Sequence, residues 1–160
     1  MKNLKLNEII RPHKYGVVLM TMLLIIVSAC RVTFVPDYSE SIEKQIIATQ
    51  KMNEKLYSDM LATAAANRDY ENFEKAYAEI ESNINSLVFQ MQAREKNTDF
   101  VAMTDILKKK FIAYKNEHKG LKDKGKKLSN SEIETYSDFM KAFYTPMLVA
   151  EKALSRTKNK

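Results

Sequence analysis

An all-α fold, arranged as an antiparallel up-down four-helix bundle, is predicted for this 160-residue chain by three observations. Apolar residues recur at alternating four- and three-residue steps over long stretches, the spacing of one face of an α-helix. Only three glycines and three prolines punctuate the chain, too few turn residues for a β-sandwich or barrel. Apolar residues make up 45% and charged residues 29%, the balance of a chain that buries a core. The length points to one domain. A single cysteine excludes an internal disulfide framework and any Cys-rich zinc site.

The first segment stands apart from the bundle. Lys2, Lys5, Arg11 and Lys14 outweigh Glu8, and an almost uninterrupted apolar run extends from Val17 to Ala29. A transmembrane helix needs about 20 residues; this shorter run has the length of a signal-peptide core. It ends in Val27-Ser28-Ala29-Cys30, an aliphatic residue and two small ones before a cysteine. This resembles the lipobox of bacterial lipoproteins. The resemblance implies cleavage between Ala29 and Cys30, diacylglyceryl transfer to Cys30, and acylation of the new amino terminus. It thus implies attachment to a lipid bilayer through Cys30. Two or three acyl chains, at about 0.8 kcal/mol per buried methylene, hold a protein on a membrane stably where one does not. Arg31 stands where an Asp would favour the inner membrane, so the pattern is similar to that of outer-membrane lipoproteins of the cell envelope. The phrases CRVTFVPDYSESIEKQI and NRDYENF are also similar to stretches of small helical lipoproteins in bacterial and mobile-element genomes, and no function is implied by that likeness. With residues 1–29 removed, the net charge of +6 falls to +3, because four basic side chains and one acidic one leave with them.

Residues 30–37 read as the lipidated cysteine and a short tether, residues 38–156 as the bundle, and 157–160 as a basic tail. Pro36 disfavours helix at Val35, and Asp37 with Glu40 has capping-box spacing. Helix one is expected over 38–66, with Ile42, Ile46, Thr49, Asn53, Leu56 and Met60 on its inner face. Asn67, Arg68 and Asp69 break it, with Asp69 able to cap the next helix. Helix two, 70–95, carries Phe73, Tyr77, Ile80, Ile84, Leu87 and Met91; Thr98 is placed to cap the third helix. Helix three, 99–119, carries Phe100, Thr104, Leu107, Phe111, Tyr114 and His118. Helix four, 130–156, carries Ile133, Tyr136, Met140, Phe143, Met147, Ala150 and Leu154, opened by a Ser131–Glu134 capping box. Each stripe is too narrow to be buried alone, so four must face inward together. With the first helix pointing away from the anchor, the 3→4 loop falls at the far end and the chain terminus returns to the near one.

The candidate binding feature is a run of nine lysines against two acids: Lys108, Lys109, Lys110, Lys115, Lys119, Lys122, Lys124, Lys126 and Lys127, with Glu117 and Asp123 between them. A distal cationic patch would suit an anionic envelope partner, either an acidic protein or a polymer such as peptidoglycan or surface polysaccharide. A solvated helix face and loop is the plainer account. Nucleic acid is not expected, because the run lacks arginine, the side chain suited to bidentate phosphate contacts. His118 falls on the inner face near a helix C-terminus, where the dipole favours a cation. It has no Glu-x-x-His companions of the kind a di-iron bundle uses, so no metal or cofactor is expected. Thr49 and Asn53 read as core polars that set helix register. Pro146 inside helix four should bend it. A small-ligand binder using the interior near Asn53, His118 and Pro146 is the alternative function. The chain shows no GxSxG elbow, glycine-rich phosphate cradle or nucleophile–base pair, so an enzyme is not expected.

Overall fold

The computed structural model describes residues 35–158. Among these, the fold is all-α, with no strand. Four long helices succeed one another: α1 (Glu40–Ala62), α2 (Glu74–Ala93), α3 (Thr98–Leu121) and α4 (Asn130–Lys158), with short 3-10 turns at Ala65–Asn67, Tyr70–Asn72 and Lys122–Lys124. The expected signal segment, with Ala29 and Cys30, lies outside the described residues.

The helices form where the periodicity places them, but their ends are set by other groups. Ser39, rather than Asp37, caps α1, its hydroxyl accepting from the Ile42 amide at 3.3 Å. α1 stops at Ala62, not at residue 66, although Ala64–Ala66 have high helix propensity. Those alanines are exposed and have no apolar partner, while the Arg68 guanidinium donates to the Leu61 and Thr63 carbonyls that would have continued the ladder. Asp69 makes no capping bond; its carboxylate pairs with Lys127. Helix two therefore starts four residues later than expected, after a 3-10 turn. Thr98 lies inside α3 rather than capping it, and the preceding Asn97 turns its amide back onto the Met91 carbonyl at 2.7 Å. The capping box of α4 is built two residues upstream of Ser131 and Glu134. Glu132 accepts from the Ser129 amide at 2.8 Å, and the Glu132 amide donates to the Ser129 hydroxyl at 3.2 Å. α4 continues through Lys158, so the expected tail from residue 157 begins as helix.

α1 packs against α4 and α2, and α3 packs against α2 and α4. Ile46, Ile84, Leu107, Phe111 and Met147 have no exposed surface in the shared core, each worth about 1.5–3 kcal/mol of apolar burial. All six predicted inner positions of helix one and all six of helix two are buried. On α4 the buried face departs from the expectation: Tyr144 and Glu151 are fully buried, while Phe143 and Ala150 are only partly so. At one end of the molecule Ser39, Arg94 and Glu151 meet. At the other, the α1–α2 and α3–α4 connections meet through Arg68, whose guanidinium donates to the Leu128 carbonyl at 3.2 Å.

Candidate functional site

The lysine run lies on α3 and the connection after it. At about 100° per residue, α3 turns these side chains in different directions. Lys108, Lys115, Lys119 and Lys122 fall on the α2 side, Lys110 on the α4 side, and Lys109 faces away from the core. The α2 side is acidic. Lys115 bonds Glu81 at 2.5 Å, both side chains being half-buried, and Lys122 pairs with Glu71. Lys127 pairs with Asp69, and the Lys119 ammonium sits 5.5 Å from the centre of the Tyr70 ring. Four of the nine lysines are thus engaged within the fold, tying the α3 end and its adjoining loop to the α1–α2 connection. The Lys122 ammonium, bonded to Glu71, holds that carboxyl below its ordinary range. Lys109, Lys110, Lys124 and Lys126 remain exposed.

Beneath this layer lies a cluster that reading by residue type did not anticipate. Arg68 is buried despite its charge and donates to three carbonyls, of Thr63, Leu61 and Leu128. Its own carbonyl receives the His118 Nε2 proton at 3.0 Å. A carbonyl can only accept, so His118 Nε2 carries the hydrogen and Nδ1 accepts from the Tyr77 hydroxyl at 3.1 Å. Tyr70, Phe73 and Tyr77 ring the imidazole at 5.8–6.1 Å between centres. Burial pushes His118 below its ordinary value, outweighing the Arg68 carbonyl. His118 lies buried in the last turn of α3, as expected, and there desolvation favours the neutral ring. Burial also raises the Tyr77 hydroxyl far above its usual range.

In the middle of the core, Asn53 donates to the Tyr144 hydroxyl at 2.6 Å, and Thr49 folds back onto the Gln45 carbonyl at 2.7 Å. Asn53 Oδ1 and the Tyr57 hydroxyl are buried without a hydrogen-bond partner. Pro146 is exposed on the outer surface of α4, so it does not share an interior with Asn53 and His118. At the opposite end, Arg94 and Glu151 form an ion pair with 10% and 0% side-chain exposure. The same carboxylate accepts from the Ser39 amide at 3.5 Å, and Phe100 lies under the guanidinium at 5.4 Å. Beside this pair an open groove of about 360 Å³ runs between Asp37–Ser39 and the end of α2, with Phe89, Ala93 and Arg94 on its far wall.

Among the described residues no three His, Cys, Asp or Glu side chains are grouped to hold a metal ion, and no helix is long and apolar enough to cross a membrane. Comparison with protein-family models, with curated proteins and with solved structures finds no match.

Proposed function

We propose that this chain is a lipid-anchored lipoprotein of the bacterial envelope, placed on the outer rather than the inner membrane. Its bundle acts without catalysis as a structural or binding module. The observation that carries the reading is the sequence Val27-Ser28-Ala29-Cys30 closing a short apolar run after a basic start. The four helices form an antiparallel up-down bundle in this proposal, supported by the pairings Ser41–Gln90, Asn53–Tyr144 and Tyr77–His118 between successive or closing helices. The end bearing Ser39 and Glu151 is then the one from which the tether leaves. The lysine-rich end is presented outward, roughly 35 Å from it at 1.5 Å per residue. An anionic envelope protein or polymer would meet Lys124 and Lys126 at that end and Lys109 and Lys110 halfway along α3, because Lys115, Lys119, Lys122 and Lys127 already have partners within the fold.

Membrane fractionation with metabolic palmitate labelling tests the anchor. Cys30→Ala is expected to lose both label and membrane retention, and retention without change of label would end the proposal. Changing Lys109, Lys110, Lys124 and Lys126 to Gln tests the surface without touching the internal ion pairs. An envelope pull-down should then lose its anionic partners, and an identical partner set would retire the lysines as a binding surface.

A second reading, a small-ligand binder using the bundle interior, is favoured by one observation: Asn53 Oδ1 and the Tyr57 hydroxyl are buried and unpartnered. A bound polar molecule would offset that desolvation cost. Native mass spectrometry of the purified chain should then show a non-covalent mass, and the bare chain alone would count against the reading.

A further inference from the structure

The groove beside Asp37–Ser39 carries an inference beyond the anchor itself. Phe89 is 70% exposed, the most exposed large apolar side chain among the described residues. It lies four residues before the end of α2, on the wall of the groove whose opposite lip is Asp37, Tyr38 and Ser39. Ile42 closes the floor and Ala93 extends the apolar wall. Arg94, the one basic group lining it, is committed to Glu151.

We propose that this groove is a bilayer-contact site, in which Phe89 seats in the interfacial zone of the membrane that holds Cys30. The proposal rests on the lipid-anchored reading. The chain outside the groove supplies the argument for the occupant. Six residues, Arg31 to Pro36, separate Cys30 from Asp37 on the groove's lip, and at full extension the seven steps between them span at most about 25 Å. By chain connectivity alone, the groove's lip stays within that reach of the lipidated residue. Phenylalanine, with Trp and Leu, is among the apolar side chains that interfacial helices bury at the headgroup–acyl boundary, and an exposed phenyl ring gains by leaving water there. The charge on the groove's lip is the Asp37 carboxylate, so the groove itself does not attract anionic lipid headgroups. The contact is expected to survive high salt, unlike binding through the lysine surface.

The chain contains no tryptophan, so Phe89→Trp introduces a single fluorophore. Phe139→Trp is the comparison. Phe139 is exposed on α4, beside Tyr114, twelve residues or about 18 Å along the helix from Glu151. The full lipidated chain is reconstituted in phosphatidylethanolamine–phosphatidylglycerol vesicles carrying brominated acyl chains. Emission from Phe89→Trp should be blue-shifted and quenched several-fold more strongly than that from Phe139→Trp, at low and high salt alike. Equal quenching at the two positions, or none at Phe89→Trp in protein that floats with the vesicles, overturns the proposal. Flotation of Cys30→Ala separates the two readings. Loss of flotation upholds the anchor whatever the quenching shows. Flotation equal to the parent removes the anchor, while the quenching still decides the groove. Absence of flotation in the parent chain overturns both.

Discussion

Gly120 and Gly125 bracket the end of α3, and they ask opposite things of the backbone. Gly125 has a left-handed φ of 62°. Its amide donates to the Lys122 carbonyl at 3.0 Å while the Lys126 amide reaches the Leu121 carbonyl at 2.9 Å, the paired bonds of a Schellman ending. Gly120 lies inside the helix with nothing within 4 Å of an added Cβ. Gly120→Ala is therefore expected to stabilise by about 0.5–1 kcal/mol, and Gly125→Ala to destabilise by about 1–2 kcal/mol. Urea titration of the two variants checks the signs. His118 brings a pH dependence. Its folded value lies below the ordinary 6.5 because burial disfavours the cation. The unfolded chain thus binds a proton that the folded one excludes. Stability is complete above the unfolded value and declines as pH falls from about 6.5 through the lower folded value. Denaturant midpoints at neutral and mildly acidic pH should show this loss, and His118→Gln should lack the part of it that arises in this window.

The four-three rhythm of α4 points at Phe143 and Ala150, yet the helix buries Tyr144 and Glu151. The angular cause is small. A strict 3.5-residue repeat drifts by about 20° per heptad against a straight helix, and a four-residue step from Met140 to Tyr144 stays closer to the core. The chemical cause is that both buried polar groups have partners on other helices or their ends, Asn53 for Tyr144 and Arg94 for Glu151. Neither partnership can be read from one helix alone. The Arg94–Glu151 pair joins the end of α2 to α4. Glu151→Ala, leaving a buried guanidinium uncompensated, is expected to cost about 3–5 kcal/mol. Replacing both partners, Arg94→Met with Glu151→Leu, should cost much less than the two single changes added together. A double-mutant cycle by thermal or chemical denaturation measures that difference, and additivity would show that the pair is not coupled.

At the scale of the whole domain, the bundle is closed at both ends by cations, one buried and one largely so, that bind backbone or carboxylate groups of distant segments. Arg94 closes one end. Arg68 closes the other, gathering carbonyls from α1, from the segment after it and from the α3–α4 connection. Hydrogen bonds from a charged donor are worth roughly 1.5–3 kcal/mol each, although the three here share one side chain and its desolvation. Arg68→Ala should lower global stability by about 2–4 kcal/mol, within the range for breaking a buried polar network. It should also speed amide exchange in both connections more than in α2 or in the middle of α1. Uniform acceleration across the domain would show that Arg68 contributes to overall stability without fastening the loops.

The all-α class and nearly all the inner positions of α1, α2 and α3 were legible in the sequence, because a helix repeats its environment every three to four residues and apolar side chains record that repeat. The lipobox resemblance is equally local, a run of neighbours that needs no fold to be read. Helix ends were less legible: Ala64–Ala66 carry a helical propensity of a few tenths of a kcal/mol per residue, which the carbonyl bonds of Arg68 outweigh. The lysines were visible as a run but not as a surface, since their directions depend on helical phase and their neutralising acids come from residues 69–81. Sequence by itself determined what depends on near neighbours, the helices and their apolar faces. The tertiary structure alone decided which charges are buried, which lysines are already paired and where the exposed phenylalanine stands, because each depends on groups brought together from far apart in the chain.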